Sequence, residues 1–135
     1  MSGQALALAA ADLVGTPFRL HGRDPAHGLD CVGLFAVALE ATGRKPRLPS
    51  GYSLRLSRAE PWVPDPAECG CVPASGPFEE GDAVLLHIQP AQFHLAIAAP
   101  DGGWIHAHAG LRRVVHQAVL PEGEIVKHWR LAPIN

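Results

Sequence analysis

Gly28-Leu29-Asp30-Cys31-Val32-Gly33-Leu34-Phe35-Ala36-Val37-Ala38-Leu39-Glu40 is the stretch on which the reading of this chain turns. Gly28 closes a loop broken by Gly and Pro, and an apolar run of helical character begins at once. Asp30 is a good N-cap, because its carboxylate can accept a backbone N–H of the first turn. Cys31 then falls in that turn, among unpaired N–H groups and at the positive end of the helix dipole. Such a place is expected to lower a thiol's pKa from its free value of roughly 8.5 and to raise the thiolate fraction. Cys31 is therefore a candidate nucleophile, although a free Cys is more commonly a small buried hydrophobe. The helix is expected over residues 30–41 with a Gly C-cap at Gly43, and with Leu34, Val37, Ala38 and Ala41 on its buried face.

Length and composition set the frame. The 135 residues suit one domain, with 47% hydrophobic and 18% charged residues. A net charge of -2 and a pI near 6.4 point away from nucleic acid as a partner. No apolar run reaches the roughly 20 residues needed to span a bilayer, so no membrane partner is expected. The opening stretch, residues 1–12, lacks a basic n-region and runs on into Asp12-Leu13-Val14, so it reads as a mature helix. The chain is accordingly expected to be made in the cytoplasm without an export signal. Three cysteines argue against a disulfide framework. Cys69-Gly70-Cys71 is too closely spaced for a zinc knuckle and reads as two reduced strand residues on one face.

Along the chain, residues 4–14 read as a helix stopped by Gly15-Thr16-Pro17, and residues 18–28 read as a loop. Residues 44–78 carry seven of the 13 prolines and show no sustained periodicity. A short helix near 53–59 and a strand near 68–72 are the elements expected there, with a lid or groove wall as their purpose. From Asp82 onward the pattern turns to short alternating strands at 83–87, 93–99, 104–108, 113–117 and 125–131. Helices first and strands after imply an α+β domain.

Pro100-Asp101-Gly102 fits a three-residue hairpin loop with a G1 bulge. That loop pairs Ala99 with Gly103, and counting outward pairs His94 with His108 and Ala96 with His106. His94, His106 and His108 then share one sheet face. Two chemistries compete for them. In one, Cys31 is a nucleophile, His94 takes its proton, and a second His orients the ring of His94. In the other, the three histidines hold a zinc ion with an open position for water. The strand count alone slightly prefers His108 as the orienting residue.

These residues resemble the NlpC/P60 cysteine peptidases, papain-like enzymes that cut bacterial cell-wall peptides. Gly15-Thr16-Pro17-Phe18-Arg19, followed by Gly28-Leu29-Asp30-Cys31-Val32-Gly33-Leu34, is similar to the family's Gly-Thr-Pro-Tyr-Arg segment and its Asp-Cys-Ser-Gly-Leu nucleophile motif. Gly81-Asp82-Ala83-Val84-Leu85 resembles the family's Gly-Asp-Leu-Val-Phe strand. His94-Leu95-Ala96-Ile97 resembles its His-Val-Gly-Ile, and Trp104-Ile105-His106-Ala107 its Phe-Ile-His-Ala. The similarity spans roughly residues 4–42 and 79–117.

The resemblance implies a papain-like α+β fold, N-terminal helices on a curved antiparallel sheet, with residues 44–78 as an irregular insertion. It implies Cys31 as nucleophile, His94 as base and His106 as the polar third member, with His108 as the rival for that last role. Phe18, His21, Asp30, Val32 and His108 would border the substrate. Phe18 stands where the family has Tyr, Val32 where it has Ser, and Leu20-His21 where it has Trp-Gly. The implied reaction is thiolate attack on an amide of a peptidoglycan stem peptide, usually the γ-D-glutamyl–diaminopimelate bond, with no cofactor and no metal. A compact member without an export signal resembles those carried by phages and gene-transfer particles, which implies a tail-like structural partner and action at the cell wall. The alternatives are an inactive tail or wall-binding module on the same fold, and the zinc hydrolase.

Overall fold

The computed structural model describes residues 2–45, 69–88 and 92–132. Helix α1 (Ser2–Ala11) is built from Ala and Leu, strong helix formers, and buries Leu6, Ala7 and Ala10. It stops short of residue 14, the end that the sequence predicts. Its last turn tightens into i→i+3 bonds, Leu13 N–H to Ala10 C=O at 3.0 Å and Val14 N–H to Ala11 C=O at 3.2 Å.

The stretch that reads as a loop carries a small ribbon, β1 (Arg23–Asp24) antiparallel to β2 (Gly28–Leu29). Helix α2 (Cys31–Ala41) follows immediately. It ends in a Schellman motif, with Arg44 N–H on Leu39 C=O at 3.2 Å and Gly43 N–H on Glu40 C=O at 3.0 Å. Its burial differs from the expected single stripe. Phe35 and Leu39 are buried beside Leu34 and Ala38, whereas Val37 is half-buried and Ala41 is exposed. The helix is apolar nearly all round, and it packs against α1, the β1–β2 ribbon and the large sheet, so little of it faces water.

The remaining strands are β3 (Cys71–Pro73), β4 (Ala83–Ile88), β5 (Gln92–Ala98), β6 (Trp104–His108), β7 (Arg113–Gln117) and β8 (Glu124–Leu131). They form one antiparallel sheet in the order β3-β8-β4-β5-β6-β7. The last five agree with the sequence reading to within a residue at either end. Cys71 lies in β3, but Cys69 precedes the strand, turned away by Gly70 at φ 76°, so the two do not share a strand face. Neither is in a disulfide, and both are buried. The helix expected near 53–59 lies outside the described residues.

Strand alternation divides the core in two. Ala83, Leu85, Phe93, Leu95, Ile97, Ile105, Ala107 and Val114 pack with both helices. Val84, Leu86, Ala96, Ala98 and Trp104 form a second cluster on the opposite face. Asp82, at the head of β4, is wholly buried and gathers three partners. Arg130 bonds both carboxylate oxygens at 2.8 Å, His128 Nε2 lies 2.7 Å from one of them, and Glu79 N–H donates at 2.9 Å. These contacts tie β8 to the start of β4.

The hairpin turn is as the sequence implies. Gly102 sits at φ 93°, where a side chain would be strained, and Ala99 N–H reaches Gly103 C=O at 3.0 Å. The ladder between β5 and β6 then consists of only Ile97↔Ile105 and Ala98↔Trp104. The expected pairs beyond, Ala96 with His106 and His94 with His108, do not form: the ladder ends after two pairs, and α2 packs against both strands.

Candidate active site

Asp30 caps α2 with an extended backbone (φ -98°, ψ -170°), its Oδ1 accepting Gly33 N–H at 2.8 Å. Its Oδ2 accepts His21 N–H, also at 2.8 Å. One carboxylate thus fixes the helix start and a turn nine residues upstream, where His21 holds a left-handed φ of 62°. The fit is close, since a Cβ on Gly33 would meet Gly22 O at 1.9 Å. Asp30 is wholly buried with this structural work, and Val32 is wholly buried in the helix-side core. The side chains expected to border the substrate at these two positions are thus enclosed in the resting structure. Phe18 is half-buried against the same core, placed by its bridge to Leu29. His21 is exposed on its turn.

Cys31 begins α2, and only 1% of its surface is exposed. The expectation of an acidified thiol is overturned. Burial and the adjacent Asp30 carboxylate push its pKa up to about 12, while backbone N–H groups of Leu95, Val32 and Cys31 itself pull it only part of the way back. Desolvation outweighs the helix dipole here because the thiolate has no water around it.

The Leu95 amide explains how sulfur and strand meet. Ala98 N–H bonds across to Asp82 on the β4 side, and Ala99 N–H to Gly103 on the other, so odd-numbered amides of β5 point toward β6. Where β6 diverges, the Leu95 amide is near enough to the Cys31 thiol to favour its ionised form. The sulfur therefore lies beside β5 at Leu95, within the helix-side core.

His94 and His106 occupy the face opposite the helices, by alternation with Ala96, Ala98 and Trp104. Their rings are perpendicular, with centroids 4.9 Å apart, and His94 Nε2 lies 2.9 Å from His106 Nδ1. His106 Nε2 is in turn 2.8 Å from Gln117 Oε1. That carboxamide oxygen can only accept, so His106 carries its proton on Nε2 and offers the Nδ1 lone pair. His94 then donates from Nε2, and its own Nδ1 is left as a bare base. His94 is held neutral, its pKa driven down to about 3 by burial, with His106 and His108 adding to the effect. The pKa of His106 is also lowered, chiefly by burial.

His106, and not His108, is the ring bonded to His94. His108 lies 5.7 Å from His106, centroid to centroid, and its Nδ1 accepts Leu111 N–H at 3.0 Å. A zinc ion on the three histidines is disfavoured, because both nitrogens of His106 are taken by His94 and Gln117. Among the described residues, no three or more His, Cys, Asp or Glu side chains converge to hold a metal. Gln117 is the member that sequence reasoning missed. Its one available signal was its place at the end of a strand that neighbours the histidine strand.

No protein-family model and no curated protein matches the chain. Solved structures do. The NlpC/P60 domain of the peptidoglycan hydrolase SagA superposes with a TM-score of 0.55 at 24% identity, covering 86% of this chain and 88% of that one. NlpC2 from Trichomonas vaginalis gives 0.65 at 17% identity, covering 96% of this chain and 48% of its own. An NlpC/P60 family protein from Bacillus cereus gives 0.62 at 16% identity, covering 97% and 40%. The chain thus spans most of the SagA domain but less than half of the other two proteins. Two helices against a six-stranded antiparallel sheet, in the arrangement these domains share, make this the papain-like α+β fold of the NlpC/P60 domains.

Proposed function

We propose that this chain is an NlpC/P60-type cysteine peptidase that hydrolyses an amide bond in peptidoglycan stem peptides, with Cys31 as nucleophile, His94 as base and His106 as the residue that orients it. The observation that carries this reading is the relay Gln117–His106–His94, which leaves a bare Nδ1 on His94. The likeness to a domain named as part of a peptidoglycan hydrolase supports the substrate class.

Because thiol and imidazole both rest neutral, the proton moves as the bond forms. The Cys31 S–H proton passes to His94 Nδ1 while the sulfur adds to the amide carbonyl. The oxyanion accepts the backbone N–H of Cys31 at the helix start. Collapse expels the amine, which takes the proton from His94. Water, deprotonated by His94, then cleaves the thioester to release a carboxylic acid and restore the thiol. With so little of Cys31 exposed, the walls around it must part for a peptide to enter. The bond proposed is γ-D-glutamyl–diaminopimelate, and the setting a phage-tail or gene-transfer particle acting at the wall.

A second reading, a wall-binding module without turnover, is favoured by the enclosed thiol with its pKa near 12. Mass spectrometry of muropeptides incubated with wild type and with Cys31→Ala decides between them. The peptidase reading expects new termini from wild type alone. Sacculus binding without products favours the binding module, and products from both proteins overturn the role of Cys31.

A further inference from the structure

Beyond the histidine pair, the same sheet face carries an uncompensated cation. Arg113 pairs directly with His108 across β6 and β7, and Val115 pairs with His106. Cross-strand partners share a face with Cβ atoms about 5 Å apart, so Arg113 projects from the face of His94 and His106. Arg113 is exposed, and every ion pair found among the described residues involves other groups. On its far side Arg113 bridges to Pro17, which brings no charge. Two basic side chains placed opposite one another repel whenever both are charged, unless an anion lies between them.

The donor geometry also favours an anion. His108 Nδ1 accepts the Leu111 N–H, so neutral His108 carries its proton on Nε2 and presents it as a donor. Arg113 adds a planar fork of N–H groups suited to a carboxylate. The pair sits at the end of the face next to His106, whose ring is 5.7 Å from that of His108.

We infer that Arg113 and His108 form a carboxylate-binding subsite on the catalytic face, holding a free carboxylate that flanks the scissile amide. This rests on the peptidase reading above and narrows its substrate to stem peptides whose carboxylates are free and not amidated. A charge-assisted contact of this kind contributes binding that a neutral carboxamide cannot replace, so amidation costs about tenfold or more in KM.

The test is steady-state cleavage of synthetic stem peptides that carry γ-D-glutamyl–diaminopimelate. Three forms are compared: free, amidated at the D-glutamyl α-carboxylate, and amidated at the diaminopimelate carboxylate. Wild type is expected to show the raised KM for at least one amidated form, with a smaller change in kcat. Arg113→Gln is expected to bring the free and amidated KM values together, and Arg113→Lys, which keeps the charge, to restore part of the difference. Equal KM values for all three peptides with wild type overturn the subsite and leave the peptidase reading intact. The subsite is likewise overturned if Arg113→Gln and Arg113→Lys discriminate as wild type does. Failure of wild type to cut any of the three overturns both.

Discussion

Gln117 Oε1 accepts the Nε2 proton of His106 at 2.8 Å, from a strand position directly opposite Trp104. This one bond sets the tautomers of two histidines in series. Gln117→Leu strands a buried N–H and lets His106 carry its proton on either nitrogen. It is expected to lower kcat about tenfold, the equivalent of one hydrogen bond, with KM little changed. Gln117→Glu keeps the acceptor and should retain more activity than the Leu variant. Kinetics on a stem peptide read both outcomes, and equal kcat for all three proteins would remove Gln117 from the relay.

Stability should form a plateau between two titrations. An unfolded His binds a proton near its usual 6.5, whereas His94 resists protonation until about 3, so stability falls as pH drops through that window. The unfolded Cys31 thiol ionises near 9.0, whereas the folded one holds its proton to about 12, so stability falls again above 9.0. Each titrating group contributes at most about 1.4 kcal/mol per pH unit. Urea melts from about pH 4 to pH 10 are expected to peak between about 6.5 and 9, and a maximum near pH 5 would contradict the assignment for His94.

The native thiols should resist alkylation. Burial pushes the Cys31 thiol up to about 12 and the Cys71 thiol up to about 11, so both rest protonated at pH 8. Iodoacetamide is expected to modify native protein slowly and all three cysteines at once after denaturation, as intact-mass measurement would show. Rapid single labelling of Cys31 at neutral pH would refute the enclosed, neutral resting state.

Asp82→Asn tests the tie between β4 and β8. The substitution removes the charge that Arg130 and His128 share and puts a carboxamide N–H₂ where three donors converge. A loss of about 3 kcal/mol in unfolding free energy is expected. Because the Asp82 carboxyl is held below its ordinary pKa, its contribution is present above about pH 4 and fades on acidification. The difference between wild type and variant should therefore shrink toward about pH 3.

Gly33→Ala tests the seat of the helix start. Its Cβ would press on Gly22 O at 1.9 Å, backbone that can yield only by moving the whole 19–22 turn off α2. A destabilisation of about 1–3 kcal/mol is expected, with activity falling further than the unfolded fraction explains.

Much of this is open to inspection in the residues. Asp30 before an apolar run announces the cap, and Pro100-Asp101-Gly102 fixes the hairpin register from which the shared histidine face follows. Three things are not. Local spacing cannot see that β5 and β6 part after two pairs, so it offers His108 where His106 makes the bond. A dipole argument on Cys31 cannot see the burial that outweighs it. Residues 23–24 and 28–29 look like loop, because a two-residue ribbon held by Pro17, Phe18 and Asp30 has no periodicity of its own.

The early parting of β5 from β6 has a cost and a use that cannot be separated. Had that ribbon zipped to completion, the Leu95 N–H would belong to a neighbouring carbonyl and would no longer favour the thiolate. A longer β5–β6 ladder would therefore trade an added sheet hydrogen bond against a strand amide that favours the ionised sulfur.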